Sequence, residues 1–83
     1  MPVLEKKALD DLKYTYNHYI TRYNNGCKYL QKHTKEIDKW TPELLEIIDM
    51  LSVLLDELNK YITVTDDEVF NGFTLWREDK WNH

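Results

Sequence analysis

The hydrophobic pattern between residues 41 and 62 predicts one helix with an unusually wide apolar surface. Its apolar residues recur at alternating spacings of four and three, which places them on one continuous helix face. A second apolar row lies beside the first, so polar residues occupy only a narrow edge. An ordinary surface helix carries an apolar stripe a little over ~100° wide, so this helix needs cover on more than one side. The first row is Leu44, Ile48, Leu51, Leu55, Leu58 and Ile62, and the second is Ile47, Met50, Leu54 and Tyr61.

The residues before this pattern indicate where the helix begins. Thr41 is a favourable N-cap, and Pro42 suits the first helical turn because its missing N–H has no partner there. We therefore predict a second helix over about 42–62. Trp40 precedes the cap, and we expect it to pack against Leu45 and fix the angle between two helices.

The N-terminal part has the same helical period from about residue 3 to 38. Its apolar residues keep the heptad spacing typical of coiled coils. Asn24 and Asn25 before Gly26 resemble a helix end, since glycine adopts the left-handed conformation easily. Either one long helix runs through Gly26 or two shorter helices meet there, and the unbroken phase favours one helix. The repeating positions are Leu9, Leu12, Tyr16, Tyr19, Tyr23, Gly26, Leu30, His33 and Ile37.

The C-terminal part contains a helix-start signal. Thr65 and Glu68 have the spacing of a capping box, and Gly72 can end the turn that follows. We predict a short helix over about 66–71 and a tail over 73–83. We expect the apolar residues of that tail to lie on the hairpin or on a neighbouring subunit. They are Phe73, Leu75 and Trp76.

Together these elements predict an all-α fold in one domain, residues 1–83. The connection between the two long helices is short, so they should form an antiparallel hairpin, with the short C-terminal helix beside it. A chain of 83 residues buries too little surface for an isolated helical pair to be very stable. We therefore expect two copies to pair through the second helix into a four-helix bundle. The predicted oligomer interface is Ile47, Met50, Leu54 and Tyr61.

Composition narrows the cellular setting. The single cysteine, Cys27, excludes an intramolecular disulfide and fits a reducing compartment. The chain shows neither a secretory leader nor a run apolar enough to span a bilayer, so we expect a cytoplasmic protein without a membrane partner. Net charge is −4, yet residues 1–39 carry a balance of +3 and residues 40–83 one of −7. Attraction between the two halves of a helical pair is the favoured interpretation of this asymmetry.

Catalytic and metal-binding patterns are missing from the sequence. His18, His33 and His83 lie far apart, and neither a nucleophile motif nor a zinc or EF-hand spacing is present. We therefore expect no enzyme activity, no catalytic residue, no metal site and no cofactor.

Acidic residues on the second predicted helix offer one resemblance to an enzyme family. The Glu43-x-x-Glu46 spacing resembles half of the magnesium-binding element of MazG-type nucleotide pyrophosphatases. That resemblance implies a helical magnesium-dependent hydrolase with a second such element on an adjacent helix. The first helix supplies only Glu36 and Asp38 at a different spacing. A solvated polar edge is the favoured interpretation of these acids.

A basic stripe provides the alternative functional hypothesis. Lysines recur at spacings of four, three and four near two aromatic residues, a combination that can hold phosphates and stack on bases. The hypothesis is an oligomeric protein that binds, and so sequesters, a nucleotide. The stripe is Lys28, Lys32, Lys35 and Lys39, and the nucleotide site would comprise Lys28, Tyr29, Lys32 and Trp40.

The favoured functional hypothesis follows from the aromatic content. Six Tyr, three Trp and two Phe exceed what the core of a helical hairpin needs, and Tyr and Trp dominate protein interfaces. We predict a small noncatalytic interaction protein that binds and modulates another macromolecule, with Tyr14, Trp76 and Trp81 as partner-binding residues. In size and composition the chain resembles accessory proteins and inhibitors of phages and plasmids.

Overall fold

The computed structural model describes residues 5–74, and within that range every regular element is helical. This confirms the all-α prediction. None of these helices is both long and apolar enough to cross a membrane. The elements are α1 (Lys6–Lys32), a 3-10 turn (Thr34–Glu36), α2 (Ile37–Asn59) and α3 (Asp66–Asn71).

The two long helices form an antiparallel hairpin. Gly26, near the end of α1, lies against Leu44, near the start of α2. At the opposite end, Ala8 of α1 and Glu57 of α2 line one surface groove. The core lies between α1 and α2, and the segment after α3 completes it. The buried core residues are Tyr16, Ile20, Ile47, Leu51, Leu54, Leu58 and Phe73.

The first helix ends at Lys32, so its predicted end at residue 38 is wrong. His33 has φ −130° and ψ 59°, outside the helical region, and its N–H donates to the Leu30 carbonyl oxygen. The 3-10 turn then carries the chain directly into α2. The spacing of the apolar residues did not reveal this break, because the 3-10 turn is itself helical and only three residues long. The two long helices are consequently of similar length, 27 and 23 residues.

The predicted start of the second helix is also wrong. Thr41 and Pro42 lie inside α2, which already begins at Ile37. The Thr41 hydroxyl donates to the Ile37 carbonyl oxygen at 2.6 Å, the bond of a helix-interior threonine and not of an N-cap. Trp40 is therefore a helical residue rather than a linker, and Leu45 remains 55% exposed.

The continuity of α1 through Gly26 confirms the single-helix interpretation. A Cβ atom at Gly26 would lie 2.8 Å from Leu44 Cδ2, so the Leu44 side chain would have to shift. Gly26 thus serves the close approach of α1 and α2 and does not end a helix.

The short helix α3 confirms the prediction for residues 66–71. Thr65 Oγ1 accepts from the Glu68 N–H at 3.2 Å, while the Glu68 carboxylate accepts from the Thr65 N–H at 2.9 Å. Gly72 follows with φ 89°, which glycine adopts without strain. A Cβ at Gly72 would also lie 2.6 Å from Asn17 Oδ1, so both conformation and space require glycine there.

Polar side chains of α1 fix the segment that follows α3. Asn17 makes two bonds to the Phe73 backbone, accepting from its N–H at 2.6 Å and donating to its carbonyl oxygen at 2.8 Å. The Tyr16 hydroxyl donates to the Val69 carbonyl oxygen. The rings of Tyr16 and Phe73 meet edge to face with centroids 5.6 Å apart. The expected cover for the hairpin is therefore provided by Phe73, while Leu75 and Trp76 lie outside the described residues.

The four residues of the predicted oligomer interface do not form one exposed face, so this prediction is wrong. Ile47 and Leu54 are buried at 6% and 8% exposure in the protomer's own core. Met50 is exposed, whereas Tyr61 is partly buried. The side of α2 that faces α1 explains the error. The α1 helix covers part of the second apolar row and leaves part of the first apolar row exposed to solvent.

Candidate functional site

The clearest cavity among the described residues lies where α1 passes into α2. Its volume is about 240 Å³, and most of its wall is apolar. The close approach at Gly26 brings the two helices together beneath it. Its lining residues are Arg22, Gly26, Tyr29, Leu30, Trp40, Glu43, Leu44 and Ile47. We call this the Tyr29–Trp40 cavity.

A single carboxylate links the two aromatic residues of this cavity. The Tyr29 hydroxyl donates to Glu36 Oε2 at 2.5 Å, and the Trp40 indole N–H donates to Glu36 Oε1 at 3.2 Å. These hydrogen bonds lower the pKa of Glu36 below its usual value, so it is ionised at neutral pH. The same contact raises the pKa of Tyr29, because the carboxylate favours the protonated phenol.

Neighbouring side chains hold the two rings in position. His33 stacks on Tyr29 with centroids 4.1 Å apart, and its Nδ1 lies 2.9 Å from the Tyr29 carbonyl oxygen. Lys39 Nζ lies 5.3 Å from the centroid of the Trp40 ring, within the range of a cation–π contact.

Among the described residues, the one cation that lines the cavity is already paired. Arg22 of α1 donates to Glu43 Oε1 of α2 at 3.1 Å. Both side chains are nearly half exposed, so this ion pair adds little to stability. It does set the charge of the wall, because Arg22 neutralises Glu43 and these are the two charged residues among those that line the cavity.

The predicted nucleotide site is assembled only in part. Tyr29 and Trp40 line the same cavity, but Lys28 and Lys32 are absent from its lining. The predicted continuous lysine stripe on the first helix is wrong, because α1 ends at Lys32. The remaining two lysines lie in the 3-10 turn and on α2.

The predicted partner-binding residues are not brought together within the described range. Tyr14 is partly buried. Trp76 and Trp81 lie outside the described residues. The cavity is instead lined by Arg22 and Glu43, and its two aromatic residues donate to Glu36; sequence reasoning did not assign these three residues to a site. The spacing of four between Glu36 and Trp40 was a visible signal, whereas the Arg22–Glu43 pair required the fold.

The acids of α2 do not meet a second acidic element on α1. Glu43 is paired with Arg22, and Glu36 is bound by two aromatic residues. Within residues 5–74, no three His, Cys, Asp or Glu side chains are arranged to hold a metal ion. The half-element at Glu43 and Glu46 therefore has no complement in the part of the chain described.

A second surface feature runs along the outside of α2. Its residues follow spacings of four, four, three, four and three, and none carries a charge. Leu45 and Ile48 at its centre are 55% and 38% exposed. No residue of this feature lines the Tyr29–Trp40 cavity. We call it the α2 stripe; it comprises Ile37, Thr41, Leu45, Ile48, Ser52 and Leu55.

Comparisons with known proteins add no functional information. No protein-family model, no curated protein and no solved structure matches this chain.

Proposed function

We propose that this protein is a small noncatalytic interaction protein that forms a homodimer and binds another macromolecule. The observation that carries the proposal is the α2 stripe, an uncharged row with Leu45 and Ile48 in solvent. Exposed apolar rows of this kind are typical of association surfaces. Pairing two stripes would give the four-helix bundle expected from the sequence, through a different set of residues.

The spacing of the stripe supports pairing of two copies through α2. Steps of mainly four and three residues keep the row on one side of α2, as in helix bundles. The small side chains of Thr41 and Ser52 alternate with larger apolar ones, which suits close packing across a two-fold axis. With α2 shared, the Tyr29–Trp40 cavity of each copy would remain open to a partner.

Analytical ultracentrifugation of matched variants tests the dimer. We expect wild type to sediment as a dimer at micromolar concentration and Ile48→Glu as a monomer, because a carboxylate would be buried unpaired at the interface. Val53→Glu is the control, since Val53 is 62% exposed on α2 but lies off the stripe. A monomeric wild type, or equal dissociation of both variants, would contradict the proposal.

The noncatalytic part of the proposal has its own test. Purified protein incubated with magnesium and a panel of nucleoside triphosphates should release no pyrophosphate. Magnesium-dependent release that is lost in Glu43→Gln would favour the hydrolase interpretation instead.

Nucleotide sequestration is the alternative function, and the shared cavity of Tyr29 and Trp40 is the observation that favours it. Two rings at one cavity can stack on a base. A ligand selective for the folded state raises the melting temperature, so a thermal-shift screen against nucleotides separates the hypotheses. The interaction hypothesis expects no rise, whereas the alternative expects a rise that is lost in Trp40→Ala.

The cellular compartment and the biological origin of the protein are part of the same proposal. Cys27 is free and partly buried, which supports a reducing compartment such as the cytoplasm. Small size and a Tyr- and Lys-rich helical chain support an accessory protein of a phage or plasmid. Isolation of the tagged protein from its host, followed by identification of a bound partner, would test this setting.

A further inference from the structure

The segment after α2 lies on α1 as a strap. We call residues 65–73 the α3 strap, because α3 forms most of it. A capping box closes its start, and Gly72, with φ 89°, turns the chain at the end of α3. A helix of six residues is too short to persist alone in water, so the strap keeps its shape through its contacts with α1.

Side chains of α1 bind the backbone of the strap. Asn17 accepts from the Phe73 N–H at 2.6 Å and donates to the Phe73 carbonyl oxygen at 2.8 Å. Asn24 Nδ2 donates to the Phe70 carbonyl oxygen at 3.0 Å. Every residue offers a carbonyl oxygen, and every residue except proline offers an N–H. These bonds therefore do not depend on which side chains the bound segment carries.

One side chain anchors the strap in the core. Phe73 is 5% exposed, whereas Phe70 is 67% exposed. The Phe73 ring meets Tyr16 edge to face with centroids 5.6 Å apart, and Lys13 Nζ lies 5.7 Å from the centroid of the same ring. The Tyr16 hydroxyl also donates to the Val69 carbonyl oxygen. This surface of α1 thus selects an aromatic side chain within a segment whose backbone it bonds.

The hairpin has a core to which α2 contributes more residues than the strap does. Opening the strap would uncover Tyr16 and Ile20 on α1, while the buried residues of α2 keep their contacts with α1. Proteins open locally in units smaller than a domain, and a short helix with one buried anchor is such a unit. The buried residues of α2 are Ile47, Leu51, Leu54 and Leu58.

We propose that the α3 strap opens from α1 as a unit, and that the surface it uncovers binds a segment of the partner protein with an aromatic residue in the place of Phe73. This inference rests on the proposed function, because it requires a protein partner. The strap then acts as an internal competitor: a partner segment binds only open molecules, so its apparent Kd is the intrinsic Kd divided by the open fraction. The surface lies on α1 and the α2 stripe on α2, so the two can be tested separately.

Peptide binding to the full chain tests the proposal. The probes are a fluorescein-labelled peptide of residues 65–74 and the same peptide with Phe73→Ala. Gly72→Ala in the full chain should hold the strap open, because φ 89° is unfavourable for alanine and a Cβ would lie 2.6 Å from Asn17 Oδ1. Fluorescence anisotropy should show the unaltered peptide binding this variant at least about tenfold more tightly than wild type, since more of the variant is open. The altered peptide should bind neither protein.

Two further variants separate recognition from folding. Asn71→Ala is the matched control, because Asn71 is exposed and its side chain donates to Asp67 Oδ1 within α3. It should bind the peptide as weakly as wild type. Adding Asn17→Ala to Gly72→Ala should weaken peptide binding at least about fivefold, because two hydrogen bonds to the peptide backbone are lost. Circular dichroism should show that the long helices remain folded in each variant.

Hydrogen exchange of wild type tests the opening without any variant. The amides of Gly72 and Phe73 donate to the Glu68 carbonyl oxygen and to Asn17 Oδ1. If the strap opens as a unit, these two amides should exchange together and faster than the amide of Ile20 in the middle of α1.

The outcomes distinguish this inference from the function on which it rests. Absence of peptide binding to Gly72→Ala, equal binding of the two peptides, unfolding of the hairpin in Gly72→Ala, or equal exchange of the Phe73 and Ile20 amides would overturn the strap site. If wild type still forms the dimer and Ile48→Glu does not, the interaction function survives that result. A monomeric wild type with retained peptide binding would overturn the dimer alone.

Discussion

Two regions of the hairpin use aromatic residues in opposite ways. In the middle of α1, which α3 and Phe73 cover, Tyr16 and Phe73 are 1% and 5% exposed and meet edge to face. At the end where α1 passes into α2, Tyr29 and Trp40 are 43% and 37% exposed and meet through a shared carboxylate. The first arrangement is that of a core and the second that of a surface site.

The difference comes from where the remaining chain goes. After α2 the chain returns through α3, and Asn17 fixes the Phe73 backbone so that this ring fills the space beside Tyr16. None of the described residues covers the end where α1 passes into α2. Within residues 5–74, the aromatic residues at that end therefore stay exposed, whereas those beside α3 are buried.

The largest expected effect concerns the buried core. Leu58→Ala should lower the free energy of unfolding by about 2–5 kcal/mol, because Leu58 is fully buried and its loss leaves a cavity. Urea denaturation measures the change. Val53→Ala, at a 62% exposed position of the same helix outside the α2 stripe, should cost far less. Equal losses would show that the two positions are not buried differently.

The next effect concerns the polar contact that holds Phe73. Asn17→Ala removes both bonds to the Phe73 backbone and should lower stability by about 1–3 kcal/mol. Hydrogen exchange of the Phe73 amide should accelerate in the same variant. Asn25→Ala, on the exposed side of α1, is the control and should leave that exchange rate unchanged. Unchanged protection in Asn17→Ala would mean that apolar packing alone holds Phe73 against α1.

A smaller effect is expected at the start of α3. Thr65→Ala removes the side-chain acceptor of the capping box and should cost about 1 kcal/mol. The loss should appear as faster amide exchange in α3 before the hairpin unfolds. Thr74→Ala, at an exposed position beyond α3, provides the comparison. A loss of protection throughout α1 would show that α3 and the hairpin unfold as one unit.

The smallest expected effect concerns the end where α1 passes into α2, and it depends on pH. The lowered pKa of Glu36 means that its ionised form stabilises the fold above the unfolded pKa of about 4.3. That stabilisation should disappear as pH falls through the lower pKa of the folded state. The melting temperature of wild type should exceed that of Glu36→Gln at pH 7, and the difference should vanish at strongly acidic pH. A difference that grows on acidification would reverse the assigned sign.

Local signals in the sequence predicted the parts of the fold that depend on neighbouring residues. Thr65, Glu68 and Gly72 defined α3 because a capping box and a terminal glycine act within a few residues. The break between the long helices was misplaced, because Thr41 and Pro42 carry a strong start signal that contacts around Trp40 override. Helix-end signals are preferences of about 1 kcal/mol, and several tertiary contacts exceed them.

The site was predictable only in its aromatic part. Sequence spacing placed Tyr29 and Trp40 near one another, but it grouped them with lysines instead of Glu36. The excess apolar surface of the second helix was also visible from its pattern. Which of its residues remain in solvent depends on the rotation of α2 against α1, and a single sequence does not specify that rotation.

Pro42 inside α2 has a consequence for motion at the end where α1 passes into α2. Proline has no N–H, so the Asp38 carbonyl oxygen lacks the bond that the residue four positions later would normally donate. The turn that carries Trp40 therefore has one helical hydrogen bond fewer than it would have with another residue at position 42. Local fraying should start there, which would let the indole move while the leucines below stay packed.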